Sequence, residues 1–144
     1  RAHPAAMMRA RAAAHRPMPT IFERIVAGEL PCHRVWEDAR HLAFLDREPR
    51  VEGHTLVVPK RHTDYLFDLS DADTTALWLA AKEVAHKLKR VLGCERVCVY
   101  VIGWEVRHVH VHLLPTNSIA EAPMPPVDPR AKAVLAETAA RLAP

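Results

Sequence analysis

Residues 108–115 read HVHVHLLP, and this stretch decides both the fold and the candidate chemistry. His108, His110 and His112 alternate with apolar residues, and successive side chains of a strand point to opposite faces of its sheet. The pattern therefore predicts a strand that carries three imidazoles in a row on one face, spaced by about 6.5–7 Å. Its other face is apolar and is predicted to pack under a helix. The residues of that face are Val109, Val111 and Leu113.

A row of imidazoles supports two kinds of chemistry. Two histidines at i and i+2 can chelate one zinc ion, with a third ligand from elsewhere in the chain. Alternatively, one histidine is a nucleophile and its neighbours orient it and handle protons. The spacing leaves both open. A row about 13 Å long is nevertheless poor geometry for three ligands of one ion, which lie only about 3–4 Å apart.

Five short segments rich in β-branched and aromatic residues, separated by turn-forming residues, predict strands. They lie at residues 33–38, 41–46, 53–60, 95–103 and 105–115. Strands and helices are segregated along the chain rather than alternating. This order predicts an α+β fold, a five-stranded antiparallel sheet with a long helix and a short N-terminal helix covering one face.

The two helices are marked by their capping residues. The short helix, residues 20–28, has Thr20 as N-cap and Glu23 three residues later. The long helix follows Ser70 and ends at Gly93. Apolar residues recur along it at helical spacing and predict one buried stripe. The stripe consists of Leu77, Ala81, Val84, Leu88 and Val91.

The chain divides into three parts. Residues 1–18 are rich in Ala and Arg, without strand or turn patterns, and are predicted to be a flexible extension resembling a transit peptide or an upstream start. Residues 19–118 form the predicted domain. Residues 119–144 contain a proline-rich segment and a terminal helix over 128–143.

Charge and cysteine content exclude several classes of protein. Lys and Arg number 20 against 17 Asp and Glu, but four of the arginines lie within the first 18 residues. The rest of the chain is therefore near neutral, which argues against nucleic acid as a partner. Three cysteines without a CxxC pair fit a reducing compartment. No apolar run approaches the roughly 18–20 residues of a membrane span, so we expect a cytoplasmic protein.

HVHVHLLP resembles the signature of the histidine triad family. Three further segments, TIFERIVAGELP (20–31), EDARHLAFLDREP (37–49) and GHTLVVPKRH (53–62), occur in the family's order and approximate spacing. The likeness extends over residues 19–118. The chain is most similar to bacterial members of the Hint-like branch, which are small nucleotide hydrolases and transferases.

The resemblance implies a role for five polar residues. His110 would be the nucleophile that attacks the α-phosphorus of a nucleoside 5′-phosphate derivative and forms a nucleotidyl-histidine intermediate. His108 would orient it, and His112 would lie nearest the leaving group. His54 would line the phosphate site. Asp46 would accept hydrogen bonds from the ribose hydroxyls of a purine nucleotide such as AMP or GMP.

The resemblance also implies the remaining site residues. Glu105 falls where the Hint-like branch often has a small polar residue that contacts the phosphate or leaving group. A carboxylate beside a phosphate is unfavourable, so we expect Glu105 either to be turned away or to be paired, for example with Arg107. Trp104 replaces a glutamine of the family. Apolar residues would form the walls around the purine. They are Ile21, Phe22, Ile25, Phe44 and Leu45.

A metal is not expected. Many bacterial relatives hold a structural zinc with a CxxC motif, but here Glu23 occupies the position of the second cysteine. We therefore predict neither metal nor cofactor. Relatives pair their sheets edge to edge, which implies a homodimer with a ten-stranded sheet.

Two other functions remain open at this point. A nucleotide-binding or protein-interaction module that has lost turnover is the main alternative, because the loop before the triad differs from that of relatives. A zinc-binding protein is less favoured. Base preference, leaving group and biological substrate are not specified by the sequence.

Overall fold

A computed structural model describes residues 18–122 and 124–143. Apart from Met18, the predicted extension lies outside the described residues. Helices that could cross a membrane are absent from the described part of the chain, since none is both long and apolar enough.

Nine helices and strands make up the described chain. They are α1 (Ile21–Val26), β1 (Arg34–Glu37), β2 (His41–Leu45), β3 (Thr55–Pro59), α2 (Asp71–Leu92), β4 (Arg96–Tyr100), β5 (Val111–Thr116), α3 (Pro129–Ala133) and α4 (Leu135–Leu142). Single 3₁₀ turns lie at Leu66–Asp68 and Ile119–Glu121. The strands form one antiparallel sheet in the order β1-β2-β3-β5-β4. The predicted α+β fold with five antiparallel strands is confirmed.

Helix α2 covers one face of the sheet and has the predicted caps. The Ser70 hydroxyl accepts a hydrogen bond from the Asp73 N–H at 3.1 Å, and Gly93 ends the helix with a φ of 68°. Four of the five predicted stripe residues are buried, but Val91 is 68% exposed because the core cluster ends one turn earlier. The α2 residues in this cluster are Leu77, Ala80, Ala81, Val84 and Leu88; the sheet residues are Ala43, Val57, Val109, Val111 and Leu113.

Helix α1 lies on the opposite face of the sheet. Phe22 and Ile25 pack there against a second apolar cluster. The prediction that both helices cover one face is therefore wrong. Central strands β2 and β3 are apolar on both faces, so each face must be covered. The sheet residues of this second cluster are Leu42, Phe44, Leu56 and Val58.

Strand β5 is shorter than the predicted strand at 105–115. It pairs with β3 only from Val57↔Val111 to Thr55↔Leu113. Pro59 has no N–H to extend that ladder, and the Val109 N–H bonds instead to the Thr63 carbonyl at 2.8 Å. Two of the three histidines therefore precede the strand, although the alternation of buried apolar and imidazole side chains continues through them.

The predicted terminal helix over 128–143 is two helices. Asp128 caps α3 through the Arg130 N–H, as an N-cap aspartate should. At Val134 the backbone has φ −106° and ψ 18°, outside the helical range, and this interrupts the helix. Both helices are almost entirely exposed.

Candidate active site

The three histidines face α1, on the opposite side of the sheet from α2. The Phe22 ring packs edge-on against two of them, with its centroid 4.8 Å from that of His110 and 5.9 Å from that of His108. The rings of His110 and His112 are themselves 4.8 Å apart. The three imidazoles therefore form one contiguous cluster against a buried phenyl ring.

A main-chain contact fixes the tautomer of His110. Its Nδ1 lies 2.6 Å from the carbonyl oxygen of His108. A carbonyl only accepts, so Nδ1 carries the hydrogen and the neutral ring keeps a lone pair on Nε2. An imidazole held in this way presents a nucleophilic nitrogen with a defined direction.

His108 is held on both ring nitrogens and is completely buried. Its Nε2 donates to the carbonyl of Pro59 at 2.8 Å, which leaves Nδ1 as an acceptor for the Thr20 hydroxyl at 3.2 Å. The His62 ring packs edge-on at 5.3 Å. These contacts fix the segment whose carbonyl in turn holds His110.

A second chain of hydrogen bonds runs through His54 and His112. The Arg50 backbone N–H donates to His54 Nδ1 at 3.1 Å, so the neutral His54 ring carries its hydrogen on Nε2. That Nε2 donates to His112 Nδ1 at 3.0 Å. The hydrogen of His112 is then on its Nε2, the nitrogen left free to donate to a ligand.

Burial keeps these imidazoles neutral at pH 7. Desolvation is the main cause of a lowered pKa at His54, His108 and His110. The pKa of His112 is lowered to about 4, first by burial, then by its electrostatic coupling to the neighbouring rings of His110 and His54, and also by the charge of Arg50. The neutral ring tautomers described above are therefore the relevant ones.

Asp46, His54 and His112 form a group that could bind a metal ion, because one possible ligand atom from each lies within 4.8 Å of the others. Asp46 Oδ2 lies 3.5 Å from His54 Nε2. The Arg50 N–H argues against this use, because it makes His54 Nε2 a donor rather than a lone-pair ligand. The donor set therefore suits hydrogen bonding better than metal binding.

The positions that hold zinc in many relatives are used differently in this chain. Thr20 and Glu23 form a reciprocal capping box, in which Glu23 Oε2 accepts from the Thr20 N–H at 2.7 Å and the Thr20 hydroxyl accepts from the Glu23 N–H at 3.1 Å. The same hydroxyl bonds to His108. A hydroxyl engaged in this way is a poor zinc ligand, so these two residues do not suit a zinc site of the kind that a CxxC motif forms.

The five predicted apolar wall residues fall into three groups. Phe22, Ile25 and Phe44 are buried in the cluster beneath the histidines. Ile21, at the first turn of α1, is 37% exposed and is available to a ligand. Leu45 alternates with Phe44 along β2, so its side chain points to the α2 face, away from the histidines.

The loop before the triad is open to solvent. Glu105 is exposed, and Arg107, its expected partner, pairs instead with Asp64 at 3.3 Å. Trp104 is 80% exposed. The structure therefore does not bring Glu105 into contact with the histidine cluster.

Five contributors to the site were missed by sequence reasoning. Three are main-chain groups, the carbonyls of Pro59 and His108 and the N–H of Arg50, and these leave no signal in residue type. The other two are the hydroxyl of Thr20, which the sequence indicates only as a helix cap, and the ring of His62. His62 donates through Nε2 to the Arg107 carbonyl at 2.8 Å.

The comparison with known protein families settles the identity of this fold. A family model described as the HIT domain matches residues 27–119, which include the whole sheet and the three histidines. This chain belongs to the histidine triad family. The resemblance predicted from HVHVHLLP is confirmed.

Individual relatives agree with this assignment. An uncharacterized HIT-like protein of Methanocaldococcus jannaschii is 40% identical over 100 residues, covering 66% of this chain and 77% of its own. An adenosine 5′-monophosphoramidase of Schizosaccharomyces pombe is 36% identical over 103 residues, covering 68% and 74%. A solved structure of a hypothetical histidine triad nucleotide-binding protein from Sulfolobus tokodaii is 36% identical, with a TM-score of 0.60 and coverage of 66% and 67%.

Proposed function

We propose that this histidine triad protein is a nucleotide hydrolase or transferase that cleaves at the α-phosphate of a nucleoside 5′-phosphate derivative. One observation carries the proposal. The 2.6 Å hydrogen bond from His110 Nδ1 to the His108 carbonyl leaves Nε2 as a fixed nucleophile on a neutral ring. The relative named as an adenosine 5′-monophosphoramidase supports an AMP-like substrate.

The reaction proceeds in two displacements. In the first, Nε2 of His110 forms a bond to the α-phosphorus as the bond from phosphorus to the leaving group breaks. The electron pair of that bond passes to the leaving group, which takes up a proton from solvent when it is an amine. The ring becomes cationic, and its Nδ1–H bond to the His108 carbonyl stabilises that charge. In the second, water attacks the phosphorus, the P–N bond returns its electron pair to Nε2, and the water proton passes to solvent.

The surrounding residues bind and orient the substrate. His112 donates its Nε2–H to the leaving group, and His54 maintains that tautomer through the 3.0 Å bond to His112 Nδ1. Asp46, whose side chain is 22% exposed, accepts from the ribose hydroxyls. Ile21 contacts the base, and Phe22 supports the nucleophile from below.

The test is turnover of adenosine 5′-phosphoramidate with EDTA present throughout. We expect release of ammonia and AMP, and, in a sample quenched with alkaline denaturant, a peptide containing His110 that carries one added nucleotidyl group. AMP binding without turnover would instead establish the non-catalytic module. Activity lost in EDTA and restored by zinc would overturn the metal-independent route.

We further propose that the active form is a homodimer that pairs β4 of each protomer. Strand β4 is an edge of the sheet. Val99 on this strand is 46% exposed, and Ile102 and Trp104, which follow it, are 61% and 80% exposed. Exposed apolar edges favour pairing with another strand. Light scattering should give twice the chain mass for the wild type and a reduced mass for Val99→Lys. A wild-type protein of 16.2 kDa in solution would contradict the dimer.

A further inference from the structure

The loop between β2 and β3 brings an arginine to the leaving-group side of the histidine cluster. The Arg50 N–H is bonded to His54 Nδ1 at 3.1 Å, and His54 is bonded in turn to His112. Two successive hydrogen bonds therefore connect the backbone of Arg50 to the ring of His112, whose Nε2 would donate to the leaving group. A role for Arg50 in the reaction rests on the proposed function, because it requires a leaving group at His112.

The side chain of Arg50 is exposed, and it forms no ion pair with any carboxylate in residues 18–122 and 124–143. Arg107, also near the triad, is paired with Asp64. The hydrogen bond from its N–H to His54 Nδ1 holds Arg50 beside the cluster. In agreement with that position, the positive charge of Arg50 adds to the effect of burial in lowering the pKa of both His54 and His112.

The chemistry of the leaving group determines what such a charge can do. An amine must gain a proton as its bond to phosphorus breaks, because an amide anion is too basic to leave. A phosphate released from an anhydride leaves as a stable anion and needs no proton. His112, a neutral ring that offers one N–H, can stabilise such an anion by hydrogen bonding but is a weak proton donor.

We propose that Arg50 is a specificity-determining residue that directs the site toward nucleoside 5′-phosphoanhydrides, whose leaving group is an anionic phosphate. His110 Nε2 bonds to the α-phosphorus while the bridging P–O bond breaks. The electron pair stays on the bridging oxygen, where the Arg50 guanidinium and the His112 N–H stabilise the added charge. Water then releases AMP from His110, and no further reactant is required.

The experiment compares two AMP donors that differ in leaving group. Diadenosine triphosphate would release ADP, and adenosine 5′-phosphoramidate would release ammonia. Wild type, Arg50→Gln and Arg50→Lys are assayed for kcat/KM on both. Arg47→Gln is the matched control, since Arg47 is an exposed arginine of the same loop that also forms no ion pair in the described chain.

We expect Arg50→Gln to lower kcat/KM for the anhydride about 10- to 100-fold further than for the phosphoramidate. Arg50→Lys should restore part of the preference for the anhydride. Arg47→Gln should leave the ratio of the two kcat/KM values within about 2-fold of the wild-type ratio. If the ratio of kcat/KM for the anhydride to kcat/KM for the phosphoramidate is the same in Arg50→Gln as in the wild type, the role of Arg50 is overturned but the proposed function is not. A wild type that cleaves neither donor would overturn the proposed function itself, and the role of Arg50 with it.

Discussion

Substitution of His110 by alanine is expected to lower kcat/KM for adenosine 5′-phosphoramidate by about 10⁴-fold or more. The variant lacks the Nε2 lone pair, and no other imidazole of the cluster can replace it. His108 uses Nε2 to hold the Pro59 carbonyl, and the free nitrogen of His112 carries a hydrogen. The covalent route is therefore lost rather than slowed.

The alanine variant also removes a buried ring that packs against Phe22, so the folding of the variant must be checked separately. His110→Asn keeps a polar side chain of similar length that can still donate to the His108 carbonyl, and it should be equally inactive. His33→Ala, at an exposed histidine before β1, is the control and should keep wild-type activity. Circular dichroism and thermal unfolding establish that each variant is folded. Wild-type turnover by either folded His110 variant would exclude His110 as the nucleophile.

Acidification is expected to destabilise the protein well before its carboxylates are protonated. The unfolded chain binds protons on its histidines near pH 6.5, whereas burial lowers the pKa of His112 in the folded protein to about 4. Neutral His112 makes its full contribution to the free energy of unfolding above pH 6.5, and that contribution is lost as the pH falls from 6.5 toward 4. This group alone contributes on the order of 2–3 kcal/mol over that window.

Urea unfolding between pH 7.5 and 4.5 measures this loss. The lower limit avoids the range below pH 4.5, where Glu37 and Asp38 also begin to contribute, because their hydrogen bonds lower their pKa values in the folded state. His112→Gln should flatten the pH dependence of the free energy of unfolding. His86→Gln, at an exposed histidine of α2 on the other side of the sheet, should not. An unchanged slope in His112→Gln would show that His112 is not buried in its neutral form.

Periodicity and caps made most of the fold predictable. Val109, Val111 and Leu113 alternate with histidines, and alternation assigns side chains to faces even where the ladder of hydrogen bonds stops. Ser70, Gly93 and Thr20 bound their helices locally, within one turn, so no distant contact was needed to predict them. The face covered by α1 was mispredicted because both faces of β2 and β3 are apolar, and composition alone does not say which element covers which face.

The candidate site was predictable as a set of residues but not as a mechanism. His54, 58 positions from His112, was placed with the triad only by resemblance, and the structure brings the two within a 3.0 Å hydrogen bond. Glu105 and Leu45 were also grouped with the site only by resemblance. The strand pleat and the open loop direct them elsewhere.

By itself, the sequence of this protein determined the α+β fold, the family and the presence of three imidazoles on one face, because each depends on local periodicity or a contiguous motif. Only the tertiary structure decided which nitrogen of each imidazole carries its hydrogen. That choice is made by the carbonyls of Pro59 and His108 and by the N–H of Arg50. Every residue type has a main-chain carbonyl, and every one except proline has an N–H, so the positions of these groups come from how the chain folds and not from which residues it contains.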